Sequence, residues 1–281
     1  MVKIYVTVFS RPEFIQIQYN QLKKYCRDDF EYIVINNSKN DEIDAEIVNI
    51  TTENSIRTIS VVKDHKIPNV SHFNALNTAF NVDVKNKNDN DLIVVMDSDV
   101  FPFKSFSFKN IIGDSEVGGI YQQRQNTEIE YLCPIFTILT NKVDLSDIDF
   151  SWKVYTDCGG STDNFIKSHN LTPKWVDHTA AIDIETGYIF VNNNKVNFPY
   201  KKEYRSQFIA GSFFHYYRGC NWDEQQPSYH EDKFNFLKYF LENTQEYVLN
   251  LDPIVHYDKA HAEKGWEGKD HNYKNYRYIY I

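Results

Sequence analysis

The chain has 281 residues, of which 42% are hydrophobic and 16% aromatic, so it can bury a substantial core in one large domain or two small ones. Its formal charge of −9, from 30 basic and 39 acidic residues, argues against a nucleic-acid-binding protein, whose surface normally carries a basic patch that neutralises phosphates. We therefore expect that an anionic ligand would be held by a local positive charge, such as a bound cation.

The sequence also lacks targeting and cross-linking signals. It has no run of about 18 apolar residues, the length that indicates a transmembrane helix, and residues 1–9 are too short and too strand-like for a signal peptide. Its four cysteines are scattered without a Cys-x-x-Cys pair, which suggests neither a zinc knuckle nor a disulfide framework. We therefore expect a cytoplasmic protein without a transmembrane segment.

The first third of the chain alternates short β-branched runs with helical patterns. This alternation is typical of βαβ units and a mostly parallel sheet. Serine, and proline in the first turn, are common at helix starts, and apolar residues three and four apart mark a buried face. The predicted elements are a strand at 2–9, an N-cap at Ser10 with Pro12 in the first turn, a helix carrying Ile15, Tyr19, Leu22 and Cys26 on one face, strands at 31–35 and 56–62, and a helix capped by Ser71.

Residues 92–96 form the clearest predicted strand. They are all apolar, as expected of a central strand that is covered by helices on both faces. The strand ends at Asp97, and ligands of open α/β folds bind at the carboxyl ends of such strands. The second half is less regular: it predicts strands at 118–122 and 135–139, a helix at 162–168, strands and turns over 176–200, and a helix at 231–243.

An acidic triplet, Asp97-Ser98-Asp99, follows the clearest strand. Residues two apart on an extended chain point the same way, so both carboxylates could converge on one cation past the small Ser98. Mg²⁺ or Mn²⁺ prefers oxygen ligands and keeps positions open for a diphosphate. The alternative is a pair of turn-forming aspartates without a ligand.

The strand and triplet at residues 94–102 resemble the DxD motif of GT-A fold glycosyltransferases. The order of elements agrees, because strand one ends at Phe9-Ser10-Arg11, strand two ends at Asn36-Asn37-Ser38, and the helix at 71–77 precedes the motif. The resemblance implies an α/β, GT-A (Rossmann-like) fold with a mostly parallel central sheet flanked by helices and a mixed α/β half on the acceptor side. It also implies Mn²⁺ or Mg²⁺ and a nucleotide-sugar donor.

The resemblance also assigns parts of the chain. Residues 1–110 would form the nucleotide-sugar half of the domain, 111–245 the acceptor and catalytic half, and 246–281 a C-terminal extension. A helix N-terminus attracts anions, so His72 and Asn74, close to the predicted helix start at Ser71, are also expected to bind the donor. The expected donor-binding residues are Phe9, Ser10, Arg11, Asn36, Asn37, His72, Asn74, Asp97 and Ser98.

His215 lies in an aromatic segment far downstream of the triplet. In several enzymes of the family a downstream histidine is a third metal ligand, and the resemblance implies this role for His215 beside Asp97 and Asp99. A neutral imidazole suits Mn²⁺ better than Mg²⁺. The alternative is a core histidine that bonds a backbone carbonyl. Arg218 and Asn221 would lie near the diphosphate or the transferred sugar.

Asp157 precedes Cys158 and two glycines, which would allow close approach of a ligand to the backbone. The family places its acceptor-facing acid after the DxD motif, so the resemblance implies that Asp157 is the general base. Alternatively, Asp157 or Ser161 caps the helix that begins near Thr162. Three rival acids are more typical of first helical turns: Asp163, Glu231 and Asp232.

The sequence thus predicts an enzyme that transfers a sugar, most readily from a UDP-sugar, to a hydroxyl of a glycan or another acceptor. Inversion and retention of the anomeric configuration both stay open. One alternative is a sugar-phosphate nucleotidyltransferase, although such enzymes usually place a loop rich in glycine and basic residues after strand one, and the loop here is Ser10-Arg11-Pro12-Glu13. Another is a carbohydrate-binding protein rich in stacking aromatics, although the 20 Tyr, 20 Phe and 4 Trp are more typical of a core.

Overall fold

The computed structural model describes most of the first 178 residues and parts of the rest. The described residues are 1–62, 68–85, 91–122, 129–154, 156–178, 182–183, 188–191, 194–197, 205–216, 231, 234–235 and 237–242. The strands are β1 Val2–Val8, β2 Phe30–Asn36, β3 Arg57–Ser60, β4 Leu92–Asp97, β5 Val100–Pro102, β6 Val117–Gln122, β7 Tyr131–Leu139, β8 Lys174–Trp175, β9 Ile182–Asp183, β10 Tyr188–Val191, β11 Asn194–Asn197, β12 Arg205–Ile209 and β13 Phe213–His215. The helices are α1 Glu13–Tyr25, α2 Asp41–Glu53, α3 Pro68–Asp83, α4 Phe108–Ile112 and α5 Thr162–Ser168.

A seven-stranded sheet runs through the molecule in the order β3-β2-β1-β4-β7-β6-β8. The pairs β2–β3, β1–β2, β1–β4 and β6–β8 are parallel, whereas β7 runs antiparallel to both β4 and β6. The predicted α/β class with a mostly parallel central sheet is therefore confirmed. The parallel register brings the ends of β1, β2 and β4 to one edge of the sheet.

Both faces of this sheet are covered. Val94 and Met96 of β4 join the core cluster on the side of α1, whereas Val95 joins the cluster on the side of α3 with Leu76 and Phe80. Each fully buried side chain of this size contributes about 1.5–3 kcal/mol relative to an exposed one. This packing explains why residues 92–96 are apolar at every position, as the sequence analysis inferred.

A four-stranded sheet in the order β5-β13-β12-β9 begins where β4 ends. β5 follows the turn after β4 and pairs antiparallel with β13, which sets His215 opposite Val100. Two residues more than 110 positions apart are therefore neighbours at the edge of the main sheet. None of the helices within the described ranges is long and apolar enough to cross a membrane.

Two predicted helix starts are wrong. α1 begins at Glu13 with Pro12 as its N-cap, so Ser10 lies before the cap position. α3 begins at Pro68, so Ser71 lies inside the helix instead of capping it. A proline is well suited to the first position of a helix, which explains why α3 starts at Pro68, before Ser71.

The sequence analysis did not identify α2. Its N-cap Asn40 accepts a hydrogen bond from the backbone N–H of Ile43 at 2.9 Å, and acids occupy its first turn, a pattern that marks a helix start. Elsewhere α5 has the predicted bounds, β3 is shorter than predicted, and β7 begins four residues earlier. The described residues of 231–242 are helical, as predicted, and strands recur between 176 and 200.

Candidate active site

The acidic triplet sits on the turn between β4 and β5. Asp97 is the last residue of β4, and Ser98 and Asp99 form the turn itself. The two acids are therefore not on one extended strand, which was the predicted geometry. The Asp97 carboxylate faces His72 of α3, and the Asp99 carboxylate faces His215 of β13. The turn separates the two carboxylates and gives each an imidazole neighbour.

The side chain of Gln18, in α1, forms hydrogen bonds with the backbone at both ends of this turn. Its side-chain amide donates to the carbonyl oxygens of Asp97 at 2.9 Å and Val100 at 2.6 Å, and its own oxygen accepts from the Tyr32 hydroxyl at 2.6 Å. Gln18 is fully buried, so every polar group of its amide is used inside the protein. Sequence reasoning missed Gln18, although a polar residue between Ile15 and Leu22 on the buried face of a helix is an available signal.

Asp99 and His215 form a buried pair. Asp99 Oδ1 lies 3.6 Å from His215 Nε2, and the two side chains are only 5% and 4% exposed. The Asp99 carbonyl accepts from the backbone N–H of Tyr216 at 2.8 Å, which fixes β13 against the turn. The predicted proximity of His215 to the triplet is present in the structure, and 3.6 Å is too long for a hydrogen bond between these two groups.

Asp97 and His72 form a second pair, with 3.5 Å between Asp97 Oδ1 and His72 Nε2. Burial lowers the pKa of His72 to about 4, an effect that the Asp157 carboxylate opposes. Burial, with a smaller contribution from the charge of Asp157, raises the pKa of Asp97 to about 7. The imidazole of His72 is therefore neutral at pH 7, and Asp157 lies close enough to act on both groups.

Two polar contacts anchor α3 around His72. Ser71 exchanges hydrogen bonds with Asn37 at 3.0 and 3.2 Å. Asn77 donates to Asp149 at 2.6 Å and accepts from the backbone N–H of Phe150 at 2.9 Å. α3 is thus tied on one side to the end of β2 and on the other to the segment that leads to Asp157.

The structure corrects the roles of His72 and Asn74 as helix N-terminal residues. They are the fifth and seventh residues of α3, which begins at Pro68, and only the first four backbone N–H groups of a helix lack intrahelical partners. Asn74 is exposed on the helix surface, so only His72 is brought to the acidic turn.

The other predicted donor residues lie at the ends of β1 and β2. Asn36 and Asn37 are buried, and the Asn36 amide donates to Asp44 at 2.9 Å. Their side chains thus join α2 and α3 to the sheet. Residues 9–11 are partly exposed just after β1, on the edge of the sheet that carries Asp97. Arg11 pairs with Glu13 at 3.2 Å.

Asp157 lies in the loop before α5. Its backbone N–H donates to the Tyr131 hydroxyl at 3.1 Å, and its carboxylate accepts from the backbone N–H of Cys158 at 3.1 Å. Ser161 is the N-cap residue of α5 but makes no side-chain capping bond. The side-chain contacts of Asp157 thus combine a local turn bond with electrostatic coupling to Asp97 and His72.

Gly159 and Gly160, which follow Cys158, are needed for the packing of the loop that contains them. Gly159 has φ +96, and a Cβ there would collide with the Leu132 carbonyl oxygen. At Gly160 a Cβ would collide with the side chain of Thr156. We expected these glycines to allow close approach of a ligand. In the structure they instead allow the loop to pack closely against β7 and against its own first residues.

Two of the three rival acids are described, Asp163 and Glu231, and neither pairs with a residue of this cluster. Asp163 is buried and pairs with Lys153 at 3.0 Å and Lys167 at 2.9 Å, so it stabilises α5. Glu231 is exposed. Three predicted site residues lie outside the described residues: Arg218, Asn221 and Asp232.

Carboxylate oxygens and a neutral imidazole nitrogen are donors that Mn²⁺ accepts. Asp97, Asp99 and His215 supply this set around a single turn, and the Asp99–His215 pair is buried without a direct hydrogen bond. Within the part of the chain that is described, no three His, Cys, Asp or Glu side chains already converge at metal-binding distance. The donor set therefore fits such a cation in kind.

Comparisons with known proteins give weak similarities. No family model and no curated protein matches the chain. Among solved structures it is similar to the galactosyltransferase LgtC in complex with donor and acceptor sugar analogues, at 10% identity and a TM-score of 0.42, over 63% of this chain and 73% of that one. It is also similar to TarS of S. aureus, at 16% identity and a TM-score of 0.35, over 56% of this chain and 52% of that one.

A third similar structure is a Bacillus anthracis protein named as a glucose-1-phosphate thymidylyltransferase, in complex with a sucrose. The identity is 12% and the TM-score 0.29, over 86% of this chain and 85% of that one. The three structures carry different names, and every TM-score is below 0.5. These similarities therefore do not decide what the chain does.

Proposed function

We propose that this chain is a metal-dependent glycosyltransferase that uses a nucleotide-sugar, in the first instance a UDP-sugar. The observation that carries the proposal is the placement of Asp97 and Asp99 on one turn at the carboxyl end of β4, each within 3.6 Å of an imidazole nitrogen. Ligands of open α/β sheets bind at this edge. The ends of β1 and β2, with residues 9–11 and 36–37, lie beside it.

The negative charge of the site supports the proposal that it binds a cation. Asp97, Asp99 and Asp157 bring three carboxyl groups to one region, in a chain of net charge −9. A diphosphate would be repelled there without a compensating positive charge. Asp97, Asp99 and His215 would hold Mn²⁺ or Mg²⁺. When bound, the cation would act as a Lewis acid on the diphosphate and offset the charge of the leaving group.

Asp157 is proposed as the general base of an inverting reaction. Its carboxylate would take the proton of the acceptor hydroxyl as the acceptor oxygen bonds to the anomeric carbon. The bond from that carbon to the diphosphate oxygen breaks, and its electron pair leaves with the nucleotide diphosphate. A retaining enzyme with front-face attack would not need this base, so an Asp157→Asn variant would also report on the stereochemical course.

The two halves of the chain would divide the substrates. Residues 1–110 would hold the donor, with Phe9, Ser10 and Arg11 beside the base and ribose. Residues 111–245 would face the acceptor, a hydroxyl of a glycan or a related molecule. The position of Asp157, which comes after the acidic turn and bonds Tyr131 of β7, supports this division.

The test is incubation of the protein with Mn²⁺ and a panel of nucleotide-sugars, followed by measurement of free nucleotide diphosphate. Transfer to an added glycan, or slow hydrolysis of one donor, supports the proposal. A parallel reaction with a sugar 1-phosphate and nucleoside triphosphates detects nucleotidyl transfer by the release of pyrophosphate. Pyrophosphate release without donor cleavage, or no UDP affinity at all, would overturn the proposal.

A further inference from the structure

The loop that carries Asp157 is attached at both ends to the first residues of β7. At its start, the backbone N–H of Asp157 donates to the Tyr131 hydroxyl at 3.1 Å. At its end, the Thr162 hydroxyl accepts from the backbone N–H of Leu132 at 2.9 Å. Two successive residues of one strand thus hold the two ends of the loop that runs from Asp157 to Thr162.

The same loop is closed by bonds and contacts within it. The Thr162 hydroxyl donates to the Gly159 carbonyl at 2.7 Å, and the backbone N–H of Gly159 donates to the Phe150 carbonyl at 2.7 Å. A Cβ at Gly159 would collide with the carbonyl oxygen of Leu132, so the loop packs directly on β7. These contacts restrain the loop as a whole, whereas the Tyr131 hydroxyl bonds the backbone N–H of Asp157 itself.

β7 brings this loop to the ligand-binding edge of the main sheet. The strand runs antiparallel to β4, with Phe136 opposite Met96, so its first residues continue past the end of β4, where Asp97 lies. Tyr131 is the first of them and is fully buried. Because protein interiors are close-packed, the ring of such a residue has little freedom to move. Its hydroxyl is therefore a fixed point of attachment for Asp157.

We propose that Tyr131 is a positioning residue for glycosyl transfer, and that its hydroxyl holds the backbone of Asp157 so that the carboxylate can reach the acceptor hydroxyl. This inference rests on the proposed function. A general base must lie within hydrogen-bond reach of the proton that it takes, and a misplacement of about 1 Å can lower the rate by about 100-fold. Tyr131 acts through Asp157 and takes no proton itself. A ring that only filled the core would need no hydroxyl.

The experiment compares the wild type with Tyr131→Phe, Asp157→Asn, the double variant of these two, and Tyr5→Phe. Tyr5 is the matched control, because it is also fully buried and its hydroxyl donates to Asp83, the last residue of α3, at 2.6 Å. Both tyrosine changes remove one buried hydroxyl and should lower the stability to urea. The kcat and the KM for the donor are measured for each protein with Mn²⁺.

We expect Tyr131→Phe to lower kcat by about 10- to 100-fold without changing the KM for the donor, whereas Tyr5→Phe keeps both values. In the Asp157→Asn background, Tyr131→Phe should cause no further loss of kcat, because residues that act as a unit have non-additive effects. An unchanged kcat in Tyr131→Phe, or an equal loss in both backgrounds, would overturn the inference but leave the proposed function intact.

Hydrogen exchange at the Asp157 amide gives a second readout that does not depend on activity. The amide should exchange slowly in the wild type and in Tyr5→Phe, and faster in Tyr131→Phe, because the hydrogen bond protects it. Unprotected exchange in the wild type would overturn the inference, and this measurement decides even where Tyr131→Phe does not fold. Absence of transfer by the wild type from every nucleotide-sugar would overturn the proposed function and this inference with it.

Discussion

The side-chain amide of Gln18 donates to the backbone carbonyl of Asp97 at 2.9 Å, across 79 positions of sequence. Through its second N–H it also holds the carbonyl of Val100 at 2.6 Å. One residue of α1 therefore fixes both ends of the turn that bears Ser98 and Asp99. Both aspartates of the two aspartate–histidine pairs thus belong to a segment that Gln18 bonds.

Gln18→Leu should destabilise the protein and weaken its site. The change leaves two buried carbonyls and the Tyr32 hydroxyl without their partner, and each such group costs about 1–3 kcal/mol. We expect the free energy of unfolding, measured with urea, to fall by at least about 3 kcal/mol. Mn²⁺ affinity should fall as well. Asn20→Ala, on the exposed side of α1, is the control and should alter neither quantity; equal effects would contradict the role of Gln18.

Asp157→Asn should separate binding from chemistry. The amide keeps the size of the side chain but cannot accept the acceptor's proton, so the transfer rate should fall by about 10²- to 10⁴-fold. UDP binding, measured by calorimetry with Mn²⁺, should persist. Asp163→Asn is the matched comparison, because its carboxylate pairs with Lys153 and Lys167; it should lower stability more than rate. Full activity of Asp157→Asn would remove this residue from the mechanism and favour a retaining course.

Gly159→Ala should be more damaging than Gly211→Ala. Both glycines have positive φ, +96 and +60, but a Cβ at Gly159 collides with the Leu132 carbonyl, whereas no atom of the described residues lies within 4 Å of a Cβ at Gly211. A left-handed conformation alone costs an alanine about 1–2 kcal/mol. We expect thermal unfolding to show a clearly larger loss at Gly159, together with lower transfer activity as the Asp157 loop shifts. Similar losses at both positions would contradict the packing role of Gly159.

Much of the fold could be inferred from local pattern. The apolar run at 92–96 predicted a central strand, because burial on both faces requires apolar residues at every position. The same run placed Asp97 at the ligand-binding edge. α2 was not predicted, because its sequence signal lies in the N-cap residue Asn40 and in an acidic first turn. The sequence offers both Pro68 and Ser71 as starts of α3, because proline and serine are both common there, and α3 begins at Pro68.

The partners in the site could not be read from the sequence, since they depend on tertiary pairing. His215 reaches the turn because β13 pairs with β5, and only the family resemblance indicated it. His72 was selected as a helix N-terminal residue, but it faces Asp97 from the second turn of α3. Gln18 is an amide on an otherwise apolar helix face, and its bond to a backbone carbonyl has no local signature.

The most direct test of the central claim is the change in melting temperature that UDP causes with Mn²⁺ and with EDTA. A ligand that binds only the folded state stabilises it by about 2.7 kcal/mol at 100 times its dissociation constant. We predict that UDP raises the melting temperature of the wild type with Mn²⁺ and much less with EDTA, and that Asp99→Ala abolishes the difference. An equal shift with EDTA, or an unchanged shift in Asp99→Ala, would contradict a cation at the Asp97-Ser98-Asp99 turn.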